Sequence, residues 1–397
     1  MKAILSPMAF EKTVLQVIPA LDSGGAERTT VEMAKAIIAA GGKALVATAG
    51  GRMCAEVERA GGRVLVLPVD SKNPLTILAN GRRLADLARR EQVDLLHARS
   101  RAPAWSALFA ARATGAALVT TWHGAYRAAS PVKRYVNSVM AKGDLVIANS
   151  EFTAASIRAA HPVGDRLKVI PRGADLSEFN PLAISGERIR SLRMRWGLEE
   201  SASGLILLLP GRLTDWKGHD VAIAAFAAIR TAAAGVSPSF QLIFAGDEQG
   251  RGDYAGSLMR RVNELGLQQI IRWVGHCDDM PAAYALADAA LAPSTRPEAF
   301  GRIAVEAGAM AKVVVASNHG GARETIVDGE TGFLVEPGSA DALAGAIMKA
   351  SALGQDGRRV MGENARARIA AHYSTQAMTA ATIGAYQDLL ARRAGAQ

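Results

Sequence analysis

The stretch "AALAPSTRPEAFGRIAVEAGAM", residues 289–310, sets a short apolar run, a polar loop and the start of a helix end to end. The run AALA stops at Pro293, and the loop carries Glu298, then Phe300-Gly301 and Arg302. A second glutamate, Glu306, follows eight residues after the first. A carboxylate near a helix start is favoured by the helix dipole. That suits Glu298 but leaves Glu306 and Gly301 without a reason.

The same strand–loop–helix rhythm continues in both directions. Before it, β-branched and leucine-rich runs lie at 14–20, 43–49, 63–69, 93–98, 117–122, 144–150 and 167–171. A second series lies at 205–211, 240–246, 270–275, 289–294, 312–317 and 332–337. Helical patterns fill the gaps: AERTTVEMAKAIIAA (26–40) is ended by Gly41 and Gly42, and another helix opens at Asn73-Pro74, a cap residue and a first-turn proline. Runs this apolar, spaced by helices, predict mostly parallel sheets covered on both faces. The fold class is therefore α/β, with two tandem Rossmann-like domains. The polar segment 173–204 carries the linker and a bridging helix. The domains expected are 1–180, 181–373 and a final helix, 374–397.

Bulk composition narrows the function. The chain has 397 residues, 49% of them hydrophobic, enough for two cores. No apolar run approaches the ~18 residues a membrane helix needs. The start reads as a tail leading into a strand, not a signal peptide. Cys54 and Cys277 stand far apart and form no metal or redox motif, so a reducing, cytoplasmic setting is expected. The net charge of +9 is lopsided: residues 1–180 hold 24 Lys and Arg against 15 Asp and Glu, and the remainder is neutral. The excess includes Arg82, Arg83, Arg89, Arg90, Arg99, Arg101, Arg127, Lys133 and Arg134, which points to an anionic partner for this half. Nucleic acid is disfavoured, because aromatic content is 5% and stacking platforms are scarce.

In open parallel sheets ligands bind beyond the carboxyl ends of the strands, so the loops after strands are where chemistry is expected, facing one cleft if the two sheets face each other. PGRLTDWKGHD (210–220) offers Arg212 and Lys217, two fixed cations beside a helix start that suit a diphosphate. AGDEQG (245–250) places Gly246 where a ligand could approach the backbone. VGHCDDMPAAY (274–284) places His276 where a base could meet main-chain groups; its Asp278-Asp279 pair reads as a helix cap, not a metal site. In the opening stretch, Gly301 leaves room for a phosphate and the amides of Phe300, Gly301, Arg302 and Ile303 would face it. Glu306 could accept from ribose hydroxyls and Glu298 from those of an attached sugar, gripping the two ends of one ligand.

These residues also resemble a family. EAFGRIAVE fits the glutamate–seven residues–glutamate motif of the retaining family-4 glycosyltransferases, which have the GT-B fold. The likeness continues through GRLTDWKG, FAGDE, VGHCDDM and NHGGARETIVDGETGFLV, and in the first half through DSGGAER, TTWHG, NSEFTAASI and VIPRGADLSEF. It is similar in detail to bacterial transferases that build lipopolysaccharide or other surface polysaccharide. The resemblance implies that Arg212 and Lys217 bind the donor diphosphate, Glu306 the ribose and Glu298 the donor sugar. It implies that Gly24-Gly25 approach the phosphates and acceptor, and that His123 sits over the donor sugar. No metal or other cofactor is implied, since fixed cations and helix-start amides would stabilise the leaving diphosphate. The implied partners are a nucleotide sugar and a saccharide or lipid-linked acceptor; the basic first half favours an anionic or lipid-linked acceptor met at the inner face of the cytoplasmic membrane. The chain departs from the family pattern at Ala299, at Arg172, where asparagine is common, and near Ala311 to Val313, where glycine-x-proline is common. Arg172 is a cation in place of a neutral amide among the expected substrate contacts. A sugar-phosphate or sucrose-type synthase and a nucleotide-sugar epimerase are the alternatives; the epimerase would need further carboxylates in the first half, and none cluster there.

Overall fold

The computed structural model describes residues 9–22, 24–124, 130–198, 204–232, 239–248, 250 and 252–395. The chain divides into two compact units, one running to Arg172 and resuming at Thr375, the other spanning Gly173–Ser374. In the first, β1 (Thr13–Val17), β2 (Lys43–Thr48), β3 (Arg63–Val66), β4 (Leu95–Ala98), β5 (Ala117–Trp122), β6 (Leu145–Ala148) and β7 (Leu167–Val169) form a parallel sheet ordered β3-β2-β1-β4-β5-β6-β7. In the second, β8 (Gly204–Pro210), β9 (Ser239–Ala245), β10 (Ile271–Gly275), β11 (Ala289–Ala292), β12 (Val313–Ser317) and β13 (Phe333–Val335) form a parallel sheet ordered β10-β9-β8-β11-β12-β13. Each expected apolar run overlaps one of these strands, β1, β8 and β9 each starting one residue earlier than its run.

The pattern follows from burial. All six residues of β5 are buried, as are Leu207, Leu208 and Leu209 of β8, because helices cover both faces of each sheet. A leucine so placed contributes about 1.5–3 kcal/mol, and Leu208→Ala would cost about 2–5 kcal/mol. Helix α1 (Gly25–Ala39) stops where Gly41 turns to φ 90°. Helix α3 (Pro74–Arg90) starts at Asn73, whose side chain accepts from the amides of Leu75 and Thr76. Both ends match their sequence signals.

The last helix, α15 (Thr375–Ala394), belongs to the first unit. The buried Tyr386 hydroxyl is 2.5 Å from His97 Nδ1, while Asp388 meets Lys168 at 2.8 Å and Arg393 meets Asp144 at 2.7 Å. The segment expected to bridge behaves otherwise. Its helix α7 (Gly186–Arg195) lies within the second unit, where Leu192, Trp196 and Leu198 join that unit's core. Arg188 of α7 forks onto Asp279 at 2.6 and 2.7 Å.

Candidate functional site

In the second sheet the strand order reverses between β8 and β11, which leave in opposite directions, so a crevice opens beyond their carboxyl ends. The loops that follow these two strands contain Lys217 and Glu298, 81 positions apart in sequence. Backbone packing holds the loops together. A Cβ on Gly218 (φ 77°) would lie 1.9 Å from the Pro293 carbonyl oxygen, and the Thr295 amide donates to the Trp216 carbonyl at 2.8 Å. Across this contact the Lys217 ammonium meets Glu298 Oε1 at 2.8 Å, with the two side chains 13% and 18% exposed. The Ser294 hydroxyl donates to the same oxygen at 2.5 Å. Lys217 Nζ also lies 4.6 Å from the centre of the Trp216 ring.

Helix α11 (Arg302–Ala309) begins directly after this loop, with Gly301 as its cap at φ 79°, ψ 64°. That left-handed turn suits glycine. The Ala304 amide returns to the Gly301 carbonyl, and the first-turn amides of Arg302 and Ile303 have no acceptor within the helix. Phe300 precedes the cap, and its side chain is buried, as is that of Ile303; both sit in the unit's core. These two contribute backbone, not side chains, to any ligand. Glu306, one turn in, is fixed at both oxygens: Oε1 accepts from Arg302 Nε at 2.9 Å and Oε2 from the Tyr284 hydroxyl at 3.2 Å. Burial, and then the Glu306 charge, push the Tyr284 phenol well above its usual range, so it stays a donor.

A pocket of about 280 Å³, counted with its mouth, opens at the helix start, lined by Ser294, Glu298, Gly301, Ser317 and His319 among small alanines. Its far wall is the loop after β12. There Gly320 (φ 60°) and Gly321 lie so close that a Cβ would come within 2.2 Å of the Glu298 carbonyl oxygen and 2.5 Å of Phe300 Cα. The Gly321 amide donates to the Glu298 carbonyl at 2.9 Å, and His319 Nε2 lies 2.7 Å from the Ser294 carbonyl. Thus Ser294, Tyr284, His319 and the glycine pair shape the site although no role was read for them. The signal available was NHGGARE: two adjacent glycines after a strand mark a place where another backbone comes close.

The remaining expected residues divide. Arg212 leaves β8 on the same loop as Lys217 and is exposed. Gly246 lies against that loop, since a Cβ on it would fall 2.0 Å from the Gly211 carbonyl oxygen. His276 stands apart on the loop after the edge strand β10, two strands from β8, exposed and 3.0 Å from Asp278. Asp279 caps the helix after it by accepting from the Ala282 amide at 3.0 Å, as expected. Among the described residues no three His, Cys, Asp or Glu side chains gather as metal ligands would.

In the first unit the order reverses between β1 and β4. Gly24 caps α1 at φ 139° and is exposed, with Gly25 opening the helix. Arg99, expected to face an anionic partner, is instead 2% exposed, and its guanidinium donates to Gln16 Oε1 at 2.7 and 2.9 Å and to the Thr29 carbonyl at 3.1 Å. Those buried acceptors draw it inward, so it leaves the surface charge. Arg82, Arg83, Arg89 and Arg90 are exposed on α3, whereas Arg127 lies outside the described residues. His123 follows β5, and the Arg172 guanidinium donates to its Nδ1. Burial, then the charges of Arg172, Arg99 and His97, hold the His123 pKa well below the usual histidine range.

Known proteins share the sequence pattern and the fold. Residues 193–368 match the model of the Glycosyl transferases group 1, and residues 23–178 that of Glycosyltransferase Family 4. A glycosyltransferase of Rickettsia africae ESF-5 is 33% identical and superposes with a TM-score of 0.87 over 96% of this chain and 99% of its own. The chain belongs to the glycosyltransferase family. Its two α/β units are those of a GT-B transferase. The Anabaena HepE protein, solved with UDP, is 26% identical, with a TM-score of 0.81 over 95% of this chain and all of that one. The lipopolysaccharide 1,2-N-acetylglucosaminetransferase of Salmonella typhimurium is 30% identical over 58% of each chain. The chain spans about half the length of the curated relatives it matches. No helix among the described residues is long and apolar enough to cross a membrane.

Proposed function

We propose that this glycosyltransferase moves a sugar from a nucleoside-diphosphate donor to an acceptor hydroxyl with retention of anomeric configuration, the donor seated where β8 and β11 diverge. The observation that carries the reading is the Lys217–Glu298 contact beside the start of α11. An ammonium has three donors, and one is spent on Glu298, so two remain for phosphate oxygens. Glu298 keeps Oε2 for sugar hydroxyls, and the amides of Arg302 and Ile303 face the same region as a helix-start anion site. Glu306, held by Arg302 and Tyr284, is preset to accept from ribose. Arg212 would add a second cation at the diphosphate. Together these stabilise charge developing on the leaving group, so no metal is required. His123 would donate to the transferred sugar, and Gly24-Gly25 and Arg172 would line the acceptor side. The likeness to a protein solved with UDP favours a uridine donor, and the Salmonella relative favours a saccharide acceptor of the lipopolysaccharide type.

The test is a melting screen against nucleoside diphosphates and their sugars. A donor at about 100 times its Kd should stabilise the fold by about 2.7 kcal/mol, and the shift should vanish in Lys217→Met. Product made with that donor should keep its anomeric configuration and form equally in EDTA. If every nucleotide leaves melting unchanged, or if transfer needs a divalent ion, the reading fails. The exposed arginines of α3 further support a lipid-linked or anionic acceptor met at the inner face of the cytoplasmic membrane. Charge reversal at Arg82, Arg83, Arg89 and Arg90 should release the protein from anionic vesicles; unchanged binding rejects that part alone.

A further inference from the structure

Arg172 ends the run IPR that follows β7, and it is 9% exposed. Its guanidinium has donors and no acceptor, so the His123 Nδ1 it touches must present a lone pair. The single proton of the neutral ring then sits on Nε2. That atom is covered and has no hydrogen-bond partner among the described residues, although the residue as a whole is half-buried. We infer that Arg172 is a positioning residue that locks His123 as an Nε2–H hydrogen-bond donor, so His123 serves the sugar as a donor and never as a base. The inference rests on the role proposed for His123 above and adds what sets its proton.

Charged and titratable groups from every neighbouring element act the same way. Arg172 comes from the segment after β7, Arg99 from the end of β4 and His97 from β4 itself; each disfavours a positive charge on His123. His97 is held between the Tyr386 hydroxyl of α15 at 2.5 Å and Thr121 of β5 at 2.7 Å, and burial keeps it neutral. Tyr386 and Glu32 of α1 act in turn on Arg99. A histidine so surrounded stays neutral as pH falls, and with Nδ1 accepting from Arg172 its one proton stays on Nε2. Asparagine, common in the family at this position, carries no such charge, so the device is particular to chains with arginine there.

The experiment is a two-bond proton–nitrogen spectrum of the whole protein labelled at histidine, with the His123 signal identified by its loss in His123→Asn. The wild type should show Nε2–H and no titration from pH 8 to 5.5. Arg172→Met should raise the His123 pKa toward the ordinary histidine range, although burial and the charges of Arg99 and His97 still hold it down, and should release its tautomer; Arg172→Lys should restore the wild-type pattern. A wild-type His123 that carries its proton on Nδ1, or titrates near 6.5, overturns the inference even if no variant at position 172 folds; an Arg172→Met spectrum identical to wild type does so too. The spectra need no substrate, so they stand or fall separately from the transferase reading.

Discussion

Replacing Lys217 with Met and Glu298 with Gln, singly and together, separates what their contact does for the fold from what it does for a ligand. Two unit charges at 2.8 Å attract by about 6 kcal/mol at an effective dielectric of ~20. With side chains 13% and 18% exposed, desolvation offsets much of that, and the net coupling expected is about 2 kcal/mol. Lys217→Met strands a carboxylate that the Ser294 hydroxyl alone still holds, so it should cost about 2–3 kcal/mol. In a unit of this size that lowers the melting temperature by about 5–10 °C. Glu298→Gln removes the stranded charge, so the double variant should be more stable than Lys217→Met alone. Sugar transfer should behave in the opposite way. Each single change should lower the rate by about 10²–10³, the usual loss on removing one group that stabilises a transition state, and the double variant should recover nothing. Calorimetry of the four proteins, followed by transfer rates with saturating donor, decides it. A coupling below about 0.3 kcal/mol would show that the contact is incidental. A double variant that regains activity would refute the separate roles given to the two residues.

Three further changes probe the scaffold. Gly320→Ala puts a methyl 2.2 Å from the Glu298 carbonyl at a φ of 60°, against backbone that cannot swing away. It should cost at least about 3 kcal/mol and reduce donor binding, measured by denaturation and titration calorimetry. Ala311 stands where the family commonly has glycine and adopts φ 55°, a conformation that costs an alanine about 1 kcal/mol. Ala311→Gly should therefore raise stability by about 0.5 kcal/mol after the added freedom of the unfolded chain is subtracted, read as a higher urea midpoint at unchanged slope. His219 is fully buried, and burial followed by the Lys217 charge pulls its pKa down to about 4. The unfolded chain binds that proton near pH 6.5 and the folded one does not until about pH 4, so this stability is intact above 6.5 and is lost as pH falls toward 4. The loss between pH 7 and 5 should be about 2 kcal/mol larger in the wild type than in His219→Gln, by urea denaturation at both values.

The sequence exposes what is local and conceals what depends on strand order. Parallel strands buried on both faces must be apolar along their whole length, so each could be read as a run, and caps such as Asn73 and stops such as Gly41 act within a few residues. The two glutamates around Gly301 were legible for the same reason, because one loop and one helical turn fix their spacing. The Lys217–Glu298 contact was not, since it exists only because β11 lies beside β8 with β9 and β10 on the other flank. That order also separates His276, whose loop follows the strand at the far edge, from residues it seemed to join. Arg99 misleads for another reason. Charge alone places an arginine in water, and only the carbonyl of Thr29 and the amide of Gln16, brought in by α1 and β1, make an interior position tolerable. The same logic explains why Arg172 could be singled out from its motif while its partner could not. A departure in residue type is visible along the chain, but the histidine it controls lies 49 positions away and one strand, β6, removed from β7. Such a site holds a group by charge and by donor direction at once; lysine at position 172 keeps a charge and a donor while methionine keeps neither, which is why the two are expected to part.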